Sequence, residues 1–139
     1  MKTLQIDNGK QQYNLSDKVT VEFSPTDMDF VERLVAVFQK AEAKQKDIEA
    51  ELQGVEAGAV FEIARRKDRE MRDLVDGLFG TEVCTPLFGT MNTFARSQGL
   101  PLWANVLTAA LDECHDNLPR EDAATKARIE KYTRKYRKR

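Results

Sequence analysis

The one histidine of the chain, His115, follows Cys114 and lies among Asp112, Glu113 and Asp116, so metal or acid–base chemistry is looked for here first. The spacing argues against a metal. Neighbouring residues on a helix point in different directions, whereas zinc ligation uses pairs such as CxxC or HxxxH on one face, and the chain has neither. His115 reads instead as part of a solvated helix end. A second thiol, Cys84, precedes Thr85-Pro86 in a connecting segment. A nucleophilic cysteine needs a base, and nothing in the sequence places His115 beside it. There is no Walker sequence and no GxGxxG after a strand. These absences predict a protein that is not an enzyme and has no catalytic residue, metal or cofactor. Both thiols read as buried small hydrophobes.

Two other segments could recognise a partner. Leu78 to Asn92, LFGTEVCTPLFGTMN, places Leu-Phe-Gly-Thr twice, nine residues apart. Connecting segments usually shed large apolar side chains because they run over the surface. This one keeps Leu78, Phe79, Leu87, Phe88 and Met91, so it either folds back on a core or forms a docking surface. Gly80 reads as the left-handed end of a helix, with Pro86 and Gly89 shaping a tucked turn. The other segment is the C-terminal stretch KARIEKYTRKYRKR. It interleaves Tyr132 and Tyr136 with cations, among them Lys131, Arg134, Lys135, Arg137, Lys138 and Arg139, a pattern able to track phosphates and stack on bases. Nucleic acid is therefore an alternative partner, although an acidic body would repel it.

That acidity is hidden in a net charge of −1. Residues 126–139 hold eight Lys or Arg against Glu130, a net +7, while residues 1–125 carry 14 basic and 22 acidic groups, a net −8. Such a division attracts acidic partners, or further copies of the chain, at low ionic strength. The 139 residues suit one domain with a modest core. Two cysteines make no disulfide framework, no signal-peptide core opens the chain, and no run reaches the roughly 18 apolar residues that span a bilayer. The expectation is a soluble cytoplasmic protein with no membrane partner.

The elements that must position these segments follow from periodicity. Leu4 and Ile6, then Tyr13 and Leu15, alternate on either side of Asn8-Gly9, a hairpin signal, and Val19, Val21 and Phe23 supply a third run. Ser24-Pro25 announces a helix from Thr26 to Gln53, whose stripe of Val31, Leu34, Phe38, Ala41 and Ile48 is broken at Gln45. A second helix, Ala57 to Phe79, carries Arg65, Arg66, Arg69 and Arg72 on its polar face. It is expected to pack antiparallel to the first rather than continue it as a rod. Pro101 opens a third, apolar helix with Trp103, Leu107 and Leu111, which the Leu87-Phe88 turn should cover. Pro119 should end it, leaving Arg120 to Lys138 as a polar segment with a thin stripe of Ile129, Tyr132 and Tyr136. The predicted fold is mainly α with a small N-terminal antiparallel β-hairpin or three-stranded meander. Residues 1–118 form the domain and 119–139 a basic helix or tail.

In that order, IDNGKQQYNL, DMDFVERLVAVFQKAE, FEIARRKDREMRDLVDGLFGTEVCTPLFGTMNTFA, GLPLWANVLTAALDE and IEKYTRKYRKR resemble a family of small tail proteins of tailed bacteriophages and prophages, similar to tail assembly chaperones. The resemblance covers most of the chain. It implies a non-enzymatic assembly factor in the host bacterial cytoplasm that binds phage tail proteins, above all the helical tape measure protein, through apolar helix faces. It is also compatible with self-association. The alternatives are a structural tail component kept in the virion and a small nucleic-acid-binding protein.

Overall fold

The first hairpin is closed by Ser16 and Asp17, not by Asn8-Gly9. In the computed structural model, which describes residues 1–137 and the side chains of residues 1–131, strands β1 (Gln11–Leu15) and β2 (Val19–Phe23) pair antiparallel. Ser16 and Asp17 both take positive φ, 52° and 57°, as a type I′ turn requires. The Asn14 side chain makes this tolerable: its Oδ1 accepts from the Asp17 amide at 2.8 Å and its Nδ2 donates to the Asp17 carboxylate at 2.9 Å. Asn8-Gly9 does form a local turn, with the Gly9 amide donating to Asp7, but it joins no strands. Leu4 and Ile6 stay exposed, and the N-terminal sheet is a two-stranded hairpin and not a three-stranded meander.

A two-stranded sheet needs a helix to cover its apolar face. Here α1 (Met28–Glu51) and α2 (Ala57–Phe79) do so. Phe23 is the hub, stacked on Tyr13 at 4.4 Å and on Phe30 at 4.5 Å, with Phe79 tilted against it at 6.3 Å. Helix α1 begins two residues later than the expected Thr26, because Asp27 in place of Ser24 accepts from the Asp29 amide and takes the capping role. Gly54, at φ 69°, lies between the helices and turns the chain back. The pair is antiparallel, since Glu51 near the end of α1 reaches Lys67 while Lys44, further back, reaches Glu70. Lys67 is buried but paired with both Glu51 and Glu70, which satisfies its charge. Burial opposes ionisation of Glu70, yet Lys44 and Lys67 overcome it and hold this carboxyl below its ordinary range.

After α2 comes a one-turn helix, α3 (Cys84–Phe88), then a two-residue ribbon of β3 (Arg96–Ser97) and β4 (Leu100–Pro101). The sequence pattern signals neither: it predicts only a tucked turn at Pro86 and Gly89. Helix α4 (Leu102–Arg137) follows without a break at Pro119. Proline there forfeits one hydrogen bond, costing about 3 kcal/mol in a helix interior. Its position is solvent-exposed, where water can satisfy the freed carbonyl. The core lies where α1, α2 and the first half of α4 meet under the hairpin, with Leu34, Met71, Val75 and Leu107 fully enclosed. No helix among the described residues is long and apolar enough to cross a membrane.

Candidate functional site

The polar side of α2 builds the segment that follows it. Gly80 takes φ 69° and caps the helix, as expected. One turn earlier, Asp76 Oδ1 accepts from the amides of Val83 and Cys84 at 2.9 and 3.0 Å, turning the chain into α3. Arg72 donates to the carbonyls of Gly89 and Met91, at 2.8 and 2.6 Å, and to Thr85 Oγ1 at 3.3 Å. Asp68 orients this arginine through a 3.0 Å ion pair and accepts from both the amide and the hydroxyl of Thr93 at 2.7 Å. Asn92 completes the clasp by donating to the Ala64 carbonyl. Arg72 thus differs from Arg65, Arg66 and Arg69, which are solvent-exposed. Its guanidinium fork suits two carbonyls at once.

Held this way, α3 presents Leu87 and Phe88 to a cleft of about 350 Å³. Phe79 from the end of α2 forms one wall and Tyr13 and Leu15 of β1 another. Val106, Ala109 and Ala110 of α4 line it as well. The small side chains of Ala109 and Ala110 leave the space that larger ones would fill. One end is polar: the Tyr13 hydroxyl donates to Glu113 Oε1 at 3.3 Å, and Asn117 bonds the same carboxylate. Burial, then the Glu113 charge, pushes the Tyr13 phenol up to about 12, so it remains a neutral donor. Apart from that end, the lining of the cleft is mostly apolar.

The structure divides the expected docking residues. Phe79, Leu87 and Phe88 meet at the cleft, half-buried. Leu78, one position from Phe79 and about 100° round the helix, is buried in the core instead. Met91 is exposed but lies outside the cleft. Trp103 is a core residue: it packs edge-on against Phe38 at 5.6 Å and donates to Gln45, and Leu87 and Phe88 pack against the core cluster that holds it. Nothing in the sequence connects Tyr13, Leu15, Val106, Ala109 and Ala110 with the site they line. Their signal, an alternating pair and a small-residue helix face, is too common to single them out.

Both cysteines are buried and unpaired. Burial, reinforced by Asp76, pushes the Cys84 thiol up to about 12. His115 is exposed on α4, and no cluster of three or more metal-ligating side chains occurs among the described residues. Of the basic tail, Lys131 is exposed. Arg134, Lys135 and Arg137 fall within α4, with side chains outside the described set, and Lys138 and Arg139 lie outside the described residues.

From the hairpin turn onward, residues 17–139, the chain matches a family of unknown function, DUF6673, and belongs to it. No curated protein and no solved structure matches the chain.

Proposed function

We propose that this protein is a non-enzymatic assembly factor of phage tails, similar to tail assembly chaperones, that seats apolar side chains of a helical partner in its cleft. The observation carrying this reading is the cleft itself. Its volume falls within the roughly 300–1,000 Å³ of sites that hold apolar ligands. A polar clasp on α2 fixes its α3 wall, so the site is formed before a partner arrives.

An amphipathic helix lays its apolar residues into a groove of this kind. The tape measure protein, long and helical, is the partner that the sequence resemblance brings forward, and the host bacterial cytoplasm is where the two would meet. Binding would keep apolar stripes of the partner covered until tail subunits replace the chaperone. The basic end of α4 would assist encounter without carrying the affinity.

Co-expression with the tape measure protein, followed by capture at low and high salt, tests the proposal. Capture that persists at high salt, and with a chain ending at Thr125, supports binding by apolar faces, since screening does not weaken apolar burial. Capture lost under both conditions assigns binding to the basic end. No capture under any condition contradicts the proposal.

A further inference from the structure

Asn117 is the last buried residue of α4 among the described side chains. From Leu118 to Lys131 every side chain is exposed, so the second half of a 36-residue helix projects from the body as an arm. A lone helix of this length is marginal in water and needs a packing partner for most of its stability. The arm carries a seam for one. Leu118, Asp122, Thr125 and Ile129 follow each other at spacings of four, three and four, the spacing of a two-helix contact, and Tyr132 and Tyr136 continue it in sequence. Leu118 and Ile129 are 46% and 60% exposed, apolar residues without a cover.

Charge along α4 is segregated. Asp112, Glu113, Asp116, Glu121 and Asp122 face only Arg120 in the count for residues 112–122, a net −4, whereas residues 126–139 carry +7. Two such arms side by side and parallel would set basic end against basic end. Antiparallel, the acidic stretch of each lies along the basic stretch of the other. With the twofold axis near Thr125, Asp122 falls opposite Arg128 of the second copy and Arg120 opposite Glu130, so even the two residues of minority sign are matched.

We propose that the arm of α4 pairs antiparallel with the same arm of a second copy, about an axis near Thr125, making the protein a dimer. A helix at 1.5 Å per residue then places the two copies of Leu118 about 21 Å apart and brings the two copies of Thr125 together. The pairing uses the arm together with the exposed acidic side chains Asp112 and Asp116 just before it, and does not rest on the reading of the cleft. An isologous contact of this kind uses the same patch twice and closes on itself.

Sedimentation velocity of the full chain at low and high salt reads the association directly. A dimer is expected whose dissociation constant rises with salt. Glu121→Lys with Asp122→Lys should raise that constant about tenfold or more, the effect of several surface pairs turned repulsive. Adding Lys126→Glu and Arg128→Glu to this variant reverses both arms and should restore the dimer, with circular dichroism confirming that each variant folds. Thr125→Cys should give an interchain disulfide on mild oxidation and Leu118→Cys should not. A monomer at every concentration and salt overturns the proposal and leaves the basic end to another acidic partner, nucleic acid included. A disulfide through Leu118→Cys, with or without one through Thr125→Cys, overturns the antiparallel arrangement.

Discussion

Trp103 on α4 donates its indole N–H to the side-chain carbonyl of Gln45 on α1, 3.0 Å away across the core. Gln45 is the polar residue that interrupts the apolar stripe of α1. The interruption is therefore a contact: a buried indole needs an acceptor, and an apolar residue at position 45 would leave it without one. Gln45 Nε2 is in turn held by Glu49, which fixes the amide.

Trp103→Ala should cost about 3–5 kcal/mol, as large-to-small core changes do. Gln45→Leu keeps the volume but orphans the indole, and should cost about 1–3 kcal/mol. Urea denaturation of both variants checks the order. A Trp103→Ala protein as stable as the parent would mean that the contact with Phe38 and Gln45 contributes little.

Arg72→Ala removes the donor to two loop carbonyls. Hydrogen bonds from charged groups are worth about 1.5–3 kcal/mol, so the segment from Thr85 to Thr93 should open locally before the rest of the chain unfolds. Hydrogen exchange should show lost protection there and little change in the middle of α1. Partner capture should fall with it, because Leu87 and Phe88 would no longer be held at the cleft.

Cys84 ties stability to alkaline pH. The unfolded thiol ionises near 9, whereas burial and Asp76 hold the folded one up to about 12. A group whose folded pKa is raised stabilises the fold below its unfolded value and loses that contribution as pH climbs through the window between the two. Stability should therefore decline from about pH 9 to 12, and Cys84→Ala should flatten part of that decline. At pH 8 neither thiol should react quickly with Ellman's reagent until the chain unfolds.

Pro119→Ala restores a backbone donor in the middle of α4. The substitution should raise helicity by circular dichroism and slow amide exchange around His115, with little effect on the core. No change in exchange would mean that the carbonyl of His115 was never short of a partner.

Much of this architecture was readable because its causes are local. The limits of α2 follow from periodicity and from Gly80, whose positive φ ends the helix. The hairpin turn was misplaced because Asn-Gly is the stronger local signal, but a strand persists only where a helix covers it. Tyr13 and Leu15 have Phe23, Phe30 and α4 to pack on, and Leu4 and Ile6 have nothing. Pro119 stops a helix only when its lost bond is unaffordable, and in solvent it is not. The cleft was legible only in part. Phe79, Leu87 and Phe88 announce themselves as apolar residues in a connector, but the opposing wall comes from β1 and α4, and no spacing rule links Tyr13 to Ala109. Leu78 fell into the core because a helix position of about 100° decides between core, cleft and solvent; Arg72 lies on the polar face as its spacing predicts, and only the loop folded onto it sets it apart from the other arginines.

Ala109 gives the most direct test of the cleft as the binding site. It is exposed and lines the cleft, so Ala109→Arg fills the space without displacing a buried side chain. Titration calorimetry of the parent and this variant with the tape measure protein, after both are shown to melt alike, measures the effect. Binding weakened at least about tenfold, a loss near 1.4 kcal/mol, with the parent's affinity nearly insensitive to salt, is the result expected. Equal affinity for the two proteins, or binding that vanishes with salt alone, would contradict the account.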